Sequence, residues 1–185
     1  MGLLASFAAF VDRLTERIGR WLAALVWLIA AVCAVVVGLR YAFHVTFTWM
    51  QELYVWIHAV VFLLGAPVAM KVNAHVRVDV LQARWSVKTR AAVEIAGTLA
   101  FTLLWIGVLA WLAWPLVTSS WAIREGSPQP NGMPGVYLLK SMLLVFAALL
   151  ALQAAATIAR GVLVLAGDAD AARVPPFAKP GEPHP

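Results

Sequence analysis

The sequence predicts an all-α integral membrane protein with four transmembrane helices, an N-terminal amphipathic helix and a short cytoplasmic interfacial segment between helices 2 and 3. Apolar residues make up 63% of the 185-residue chain and charged residues 12%, whereas charged residues make up about 25% of soluble domains. Four apolar runs approach or exceed the ~20 helical residues that cross a bilayer's hydrocarbon core. These observations predict several membrane spans and leave no length for an additional soluble domain.

Residues 1–20 are predicted to form an amphipathic helix that lies at the membrane surface. Apolar residues recur at spacings of three and four, and charged residues take the other face, as in helices that bind the bilayer interface. The apolar positions are Leu3, Leu4, Phe7, Phe10, Val11, Leu14 and Ile18, and the charged positions are Asp12, Arg13, Glu16, Arg17 and Arg20.

The membrane domain is predicted over residues 21–165, with spans at about 21–39, 53–70, 95–117 and 137–159. A cleaved signal peptide is the rival interpretation of the first span. Its apolar run is longer than the usual signal-peptide core, and no clean cleavage site follows it. We therefore expect an uncleaved anchor.

The connections between spans differ in composition. Residues 40–52 are short and aromatic, residues 71–94 are basic, and residues 118–135 have the Gly, Pro and Ser content of a loop. The basic connection contains the predicted interfacial segment. Five prolines follow Gly167, so residues 166–185 are predicted to be a disordered cytoplasmic tail.

The distribution of basic residues predicts the orientation. With four spans, the two termini and the 71–94 connection share one side of the membrane. That side carries eleven of the fourteen Lys and Arg residues, and the opposite side carries three. Because basic residues are retained on the cytoplasmic side, both termini are expected in the cytoplasm.

Three candidate residues lie at the predicted outer membrane edge. Arg40 ends the first span, while Trp49 and Glu52 precede the second. An ion pair between Arg40 and Glu52 would tie these two helices together, and Glu52 could instead reach a partner chain. The simpler alternative is a pair of solvated interfacial charges. The aromatic surroundings of Glu52 favour a specific interaction.

Further candidates lie at the predicted cytoplasmic edge. His75, Arg77 and Asp79 alternate after the second span, where we expect a hydrogen-bonded corner or a contact with another subunit, and plain solvation is the simpler alternative. They are too few to predict a metal site. Glu94 begins the third span and would be solvated or bind a nearby base. Gln153, near the end of the fourth span, can form a hydrogen bond across helices.

The sequence predicts no catalytic, cofactor-binding or metal site. His58 lies within the second span, but no other predicted span contains a histidine to serve as a second haem ligand. The single cysteine, Cys33, can form neither an intrachain disulfide nor a metal cage. A transport pathway is also not indicated, because the chain lacks duplicated halves and broken helices. Nucleic-acid binding is disfavoured, since the net charge of +5 comes from basic residues near membrane segments.

Four segments in the first half of the chain form a characteristic series: Arg40-Tyr41, Trp49-Met50-Gln51-Glu52-Leu53, Phe62-Leu63-Leu64-Gly65-Ala66 and Asn73-Ala74-His75-Val76-Arg77-Val78-Asp79-Val80-Leu81. With these segments the sequence resembles the small membrane subunit of the tripartite ATP-independent periplasmic (TRAP) transporters, the DctQ family. The resemblance covers roughly residues 15 to 165. Gln51 departs from the family pattern, in which a second acidic residue is common.

The resemblance implies an accessory subunit in the bacterial inner membrane. Such subunits bind a large membrane subunit, which carries the sodium and substrate sites, and a periplasmic binding protein delivers the substrate, often an organic acid. The two groups of candidates at the membrane edges would then brace the complex on its two sides. Two alternatives remain open: a haem-binding or other redox four-helix protein, and the small subunit of a tricarboxylate-type tripartite carrier.

Overall fold

The computed structural model describes residues 2–74 and 85–177. Within these residues the secondary structure is helical, and no strand is present. A π-helical segment, Thr98–Leu103, joins two of the helices, and a short 3-10 helix, Ala171–Arg173, follows the last one. The α-helices in this part of the chain are α1 (Gly2–Ala42), α2 (Thr48–Lys71), α3 (Val87–Gly97), α4 (Leu104–Ala122) and α5 (Val136–Leu165).

Within the described residues, four helical stretches are long and apolar enough to cross a membrane. They are α1, α2, the continuous stretch Val87–Ala122, which includes α3 and α4, and α5. This confirms the predicted all-α membrane fold. In the most apolar 18-residue part of α5, 44% of the residues are buried within the chain, against 6 to 11% in the other three stretches. α5 is therefore the membrane-spanning helix most enclosed by its own chain, and most residues of the other three stretches are not buried.

The first helix differs from the prediction of an interfacial helix followed by a separate span. No proline interrupts residues 2–42, and α1 is a single helix of 41 residues. At 1.5 Å per residue it is about 61 Å long, which exceeds the ~40–45 Å of a whole bilayer with its headgroups. The other spans also extend beyond their predicted limits, because a helix does not have to end where the hydrocarbon ends.

The chain divides into two compact units. The first contains Met1–Arg17, Pro67–Val108 and Ala148–Pro185, and the second contains Ile18–Ala66 and Leu109–Ala147. Much of the predicted interfacial segment falls on residues 75–84, which lie outside the described residues.

Two small apolar clusters lie in the first unit. In one, Ala8 and Val11 of α1 are buried against Ala156 of α5, with Leu152 alongside. The other joins α3, α5 and the segment that follows α5, and its buried members are Ala91, Leu163, Val164, Ala171 and Phe177. These clusters attach both ends of the chain to the C-terminal half of α5.

The segment after α5 is folded as far as residue 177, contrary to the disordered tail expected from residue 166. Gly167, with φ of +93°, ends the helix, and the Asp168 N–H donates to the Leu163 carbonyl at 3.0 Å. The Asp168 carboxylate then accepts from the N–H of Ala171 at 3.1 Å. Phe177 is only 1% exposed. A buried aromatic ring removes enough apolar area from solvent to order a proline-containing segment.

Glycine at position 161 makes room for this packing. A Cβ atom there would lie 2.8 Å from Ile95 Cγ1 and 3.4 Å from the ring of Phe177. Atoms as close as the first pair overlap, so a side chain would push α3 away from α5. The close approach of these helices therefore depends on Gly161.

Candidate functional site

The carboxylate of Glu52 lies at the centre of the best-defined polar site in the second unit. Glu52 is in the second turn of α2 and is partly buried. Its Oε1 accepts a hydrogen bond from the Ser127 hydroxyl, and its Oε2 accepts one from the Met133 backbone N–H at 2.6 Å. Both donors belong to the connection between α4 and α5. We call Glu52, Ser127, Gly132 and Met133 the Glu52 site.

The loop closes on itself around this carboxylate. The Ser127 N–H donates to the Met133 carbonyl at 3.0 Å, and the Gly132 N–H donates to the Gln129 carbonyl at 3.0 Å. A Cβ atom on Gly132 would lie 2.6 Å from Ser127 Cβ and 2.9 Å from Glu52 Oε2. Glycine is thus required at position 132 for space, and residues 127–133 form a compact loop with Glu52 inside it.

Side-chain contacts hold both ends of the connection between α4 and α5. On one side Trp121 donates its indole N–H to Ser141 Oγ at 2.8 Å, and its ring meets that of Tyr137 edge-on at a centroid distance of 4.6 Å. On the other, Lys140 forms an ion pair with Glu125. The Lys140 ammonium lowers the pKa of the Glu125 carboxyl below its usual value. The connection is therefore a fixed element of the structure.

The ion pair predicted between Arg40 and Glu52 is not formed. Both oxygens of Glu52 are already occupied by the loop, and Arg40 is exposed, with no ion pair to any residue that the structure describes. Glu52 is instead bound by the Ser127 hydroxyl and the Met133 N–H. Trp49 is also exposed, and its ring lies 6.4 Å from that of Phe47.

The other predicted site residues are only partly placed. His75, Arg77 and Asp79 lie outside the described residues, so the corner proposed for them stays a prediction. Glu94 is partly buried, two turns into α3. The Glu52 site does not include it.

A second polar cluster, which the sequence analysis did not predict as a unit, lies in the first unit of the chain. Its paired side chains bring the N-terminal part of α1 to the end of α2 and to α5. We call it the Asp12 network; its members are Asp12, Thr15, Glu16, Lys71, Gln153 and Arg160.

The less exposed of the two ion pairs in the Asp12 network joins α1 to α5. Arg160 Nη1 donates to Asp12 Oδ2 at 2.7 Å, and the Arg160 side chain is 6% exposed. One turn further along α1, the Thr15 hydroxyl donates to Gln153 Oε1 at 3.1 Å, and both side chains are buried. This confirms that Gln153 forms a hydrogen bond across helices.

Lys71 completes the network from the last residue of α2. It forms an ion pair with Glu16, and its ammonium lies 3.4 Å from the Asp12 carbonyl oxygen. The partners in these contacts are 55 to 148 residues apart in sequence. The sequence indicates this network only through Asp12 and Glu16, which are four residues apart on a helix whose other charged residues are basic.

The polar groups of both sites are used to hold helices and loops to one another. Within the described residues, no group of three or more His, Cys, Asp or Glu side chains is arranged to hold a metal ion. His58 is exposed on α2. The arrangement suits a structural role at the ends of membrane helices.

Comparison with known proteins identifies the family. Residues 36–164 match the model of the DctQ component of the tripartite ATP-independent periplasmic transporters. No characterised protein and no solved structure matches the chain. The matched region contains the whole Glu52 site and begins after the residues that α1 contributes to the Asp12 network. Because the match spans more than half of the chain, the protein belongs to the DctQ family, the small membrane components of TRAP transporters, and is a transporter component rather than an enzyme.

Proposed function

We propose that this chain braces the large permease subunit of a TRAP transporter in the bacterial inner membrane. The large subunit would carry out sodium-coupled uptake of an organic acid or similar solute, delivered by a periplasmic binding protein. The small chain would hold the static part of the complex in place and contribute no ion or solute site of its own.

The main support for this proposal is that polar contacts hold the helices together near their ends, while apolar side chains between the ends are exposed. Ion pairs of the described residues lie in the first four turns of α1, close to the ends of α2 and α5, and in the segments that follow α4 and α5. Large apolar side chains between these ends are exposed, among them Trp27, Phe62 and Trp111. A membrane brace needs this combination, because its helices must keep their positions while their sides pack against lipid or another subunit.

The Glu52 site is proposed to lie on the periplasmic side. The excess of Lys and Arg near the two termini supports cytoplasmic termini, which leaves the α4–α5 connection outside. A loop held by an internal carboxylate keeps one conformation and can offer a constant surface to the binding protein. A preformed surface reduces the entropy lost on docking.

Interface roles are proposed for the remaining candidates of the sequence analysis. Asp79 with His75 and Arg77 would contact the large subunit on the cytoplasmic side, and Arg40 with Trp49 would do so on the periplasmic side. Glu94 would contribute to the interface on the same side as His75, Arg77 and Asp79. Substitution Asp79→Ala is then expected to reduce recovery of the large subunit with a tagged small chain, whereas unchanged recovery would remove Asp79 from the interface.

Co-purification tests the brace itself. The small chain carries an affinity tag and is expressed with the large subunit in a bacterial host, and the recovered proteins are quantified after detergent extraction. Recovery of the large subunit in an equimolar complex is expected. If the two proteins separate under conditions in which each remains folded, a bracing role is contradicted.

A further inference from the structure

The N-terminal part of α1 has an exposed apolar stripe on the side that faces away from its own chain. Ala8, Val11 and Thr15 are buried against α5. Leu3 and Phe10 are 89% and 58% exposed, and Phe7 is exposed between them. Residues spaced by four and three lie above one another on a helix, so these three side chains form one continuous stripe.

Two arginines border this stripe without an acidic partner. Arg13 and Arg17 are both exposed and stand one turn apart. The Arg13 side chain donates a hydrogen bond to the Ala9 carbonyl of its own helix at 3.2 Å. Neither arginine forms an ion pair with any residue in ranges 2–74 and 85–177.

The acidic residues of the same segment are paired elsewhere. Asp12 is bound to the nearly buried Arg160, and Glu16, although exposed, is bound to Lys71. Both negative charges of this segment are therefore neutralised by basic residues of other helices, while Arg13 and Arg17 are exposed. The result is a surface with net positive charge next to apolar side chains.

The contacts of this segment place it beside the last turns of the fourth predicted span. Ala8, Val11 and Thr15 meet α5 at residues 152–156, close to the cytoplasmic end of the fourth predicted span. At that depth the acyl chains of the lipid give way to phosphate headgroups. Apolar side chains there can enter the acyl region, and arginines can extend to the phosphates.

We propose that residues 3–17 form a binding surface for anionic phospholipid of the adjoining leaflet. Leu3, Phe7 and Phe10 lie against the acyl chains, and Arg13 and Arg17 bind the headgroup phosphates. Zwitterionic lipid satisfies the apolar contact but offers no net negative charge to the arginines. A basic side chain near an anionic membrane surface contributes about 1 kcal/mol, so the two together account for roughly a thirtyfold preference.

The test is a lipid titration of the purified full-length chain, followed by native mass spectrometry. Phosphatidylglycerol and phosphatidylcholine are titrated separately into wild type and into Arg13→Gln/Arg17→Gln. A matched control, Lys88→Gln/Arg124→Gln, removes two exposed basic side chains outside this segment. We expect the first variant to bind phosphatidylglycerol roughly thirtyfold more weakly, with phosphatidylcholine binding unchanged and the control within about threefold of wild type.

Four results would overturn the proposal. One is wild-type affinity of the Arg13/Arg17 variant for phosphatidylglycerol, and another is an equal loss in the control. The third is displacement of the lipid by millimolar inorganic phosphate, which would indicate a free-anion site. Arg13→Lys/Arg17→Lys keeps the charge and is expected to retain most of the lipid affinity. Loss of binding in that variant as well, with an unchanged thermal unfolding midpoint, would contradict an electrostatic preference.

Discussion

Replacement of Glu52 should open the loop between α4 and α5 without disturbing the helices. In the wild type the carboxylate accepts two hydrogen bonds, from the Ser127 hydroxyl and from the Met133 N–H at 2.6 Å. Hydrogen bonds to charged groups contribute about 1.5–3 kcal/mol each. Because Glu52 is only partly buried and water can replace some of this interaction, we expect Glu52→Ala to cost about 3 kcal/mol locally.

The neutral isostere should have a smaller effect. In Glu52→Gln the amide oxygen can still accept from the Met133 N–H, and the amide nitrogen can donate to the Ser127 hydroxyl. Both bonds lose the contribution of the charge, which is about half of their strength. The expected cost is then about 1–1.5 kcal/mol, and the order of loop stability is wild type, Glu52→Gln, Glu52→Ala.

Hydrogen exchange of the Met133 amide reads this loss directly, because that N–H is bonded to the carboxylate. A cost of about 3 kcal/mol corresponds to roughly a hundredfold faster exchange in Glu52→Ala, and about 1–1.5 kcal/mol to roughly a tenfold increase in Glu52→Gln. Glu125→Gln serves as the control, since it removes a carboxylate from the same connection without touching the Glu52 site. Unchanged Met133 exchange in Glu52→Ala, or an equal increase in the control, would refute the reasoning.

Three further predictions concern the other contacts. Asp12→Ala should destabilise the chain by about 2–4 kcal/mol in denaturant unfolding, because it leaves the Arg160 charge nearly buried without a partner, and Asp12→Ala/Arg160→Met should recover part of the loss. Phe177→Ala should cost about 3 kcal/mol of local stability and speed trypsin cleavage at Arg173 well over tenfold, while wild-type cleavage rates would contradict ordered packing of this segment. The Glu125–Lys140 pair lowers the pKa of Glu125 below 4.5. The pair therefore stabilises the folded chain above pH 4.5, and this stabilisation is lost as the pH falls through the lowered pKa. The difference in thermal midpoint between wild type and Glu125→Gln should therefore vanish in acid, and a difference that persists there would be inconsistent with the pair.

The spans were predictable because bilayer crossing leaves a strong compositional signal. Their limits were not, because a helix continues past the hydrocarbon as long as no residue interrupts it. In α1 the change from an amphipathic to a uniformly apolar pattern near Trp21 indicated a break, yet the backbone continues as one helix from Gly2 to Ala42. Hydrophobic pattern reports the environment of a helix and does not report its continuity.

The polar sites were predictable only in part, because spacing along the chain does not identify distant partners. Glu52 stood out as a carboxylate among aromatic residues, but its partners Ser127 and Met133 are 75 and 81 residues away. The Asp12–Arg160 pair joins residues 148 apart. The C-terminal segment is held by the buried Phe177 ring together with the turn at Gly167 and Asp168, and the prolines around them had favoured a prediction of disorder.

Solute uptake with and without this chain tests the bracing role most directly. Proteoliposomes with a sodium gradient are prepared with the large subunit alone, with this chain alone and with both, and the binding protein and its solute are added outside. We predict accumulation only when both membrane subunits are present. Accumulation with this chain alone, or full-rate uptake by the large subunit in its absence, would contradict a bracing role.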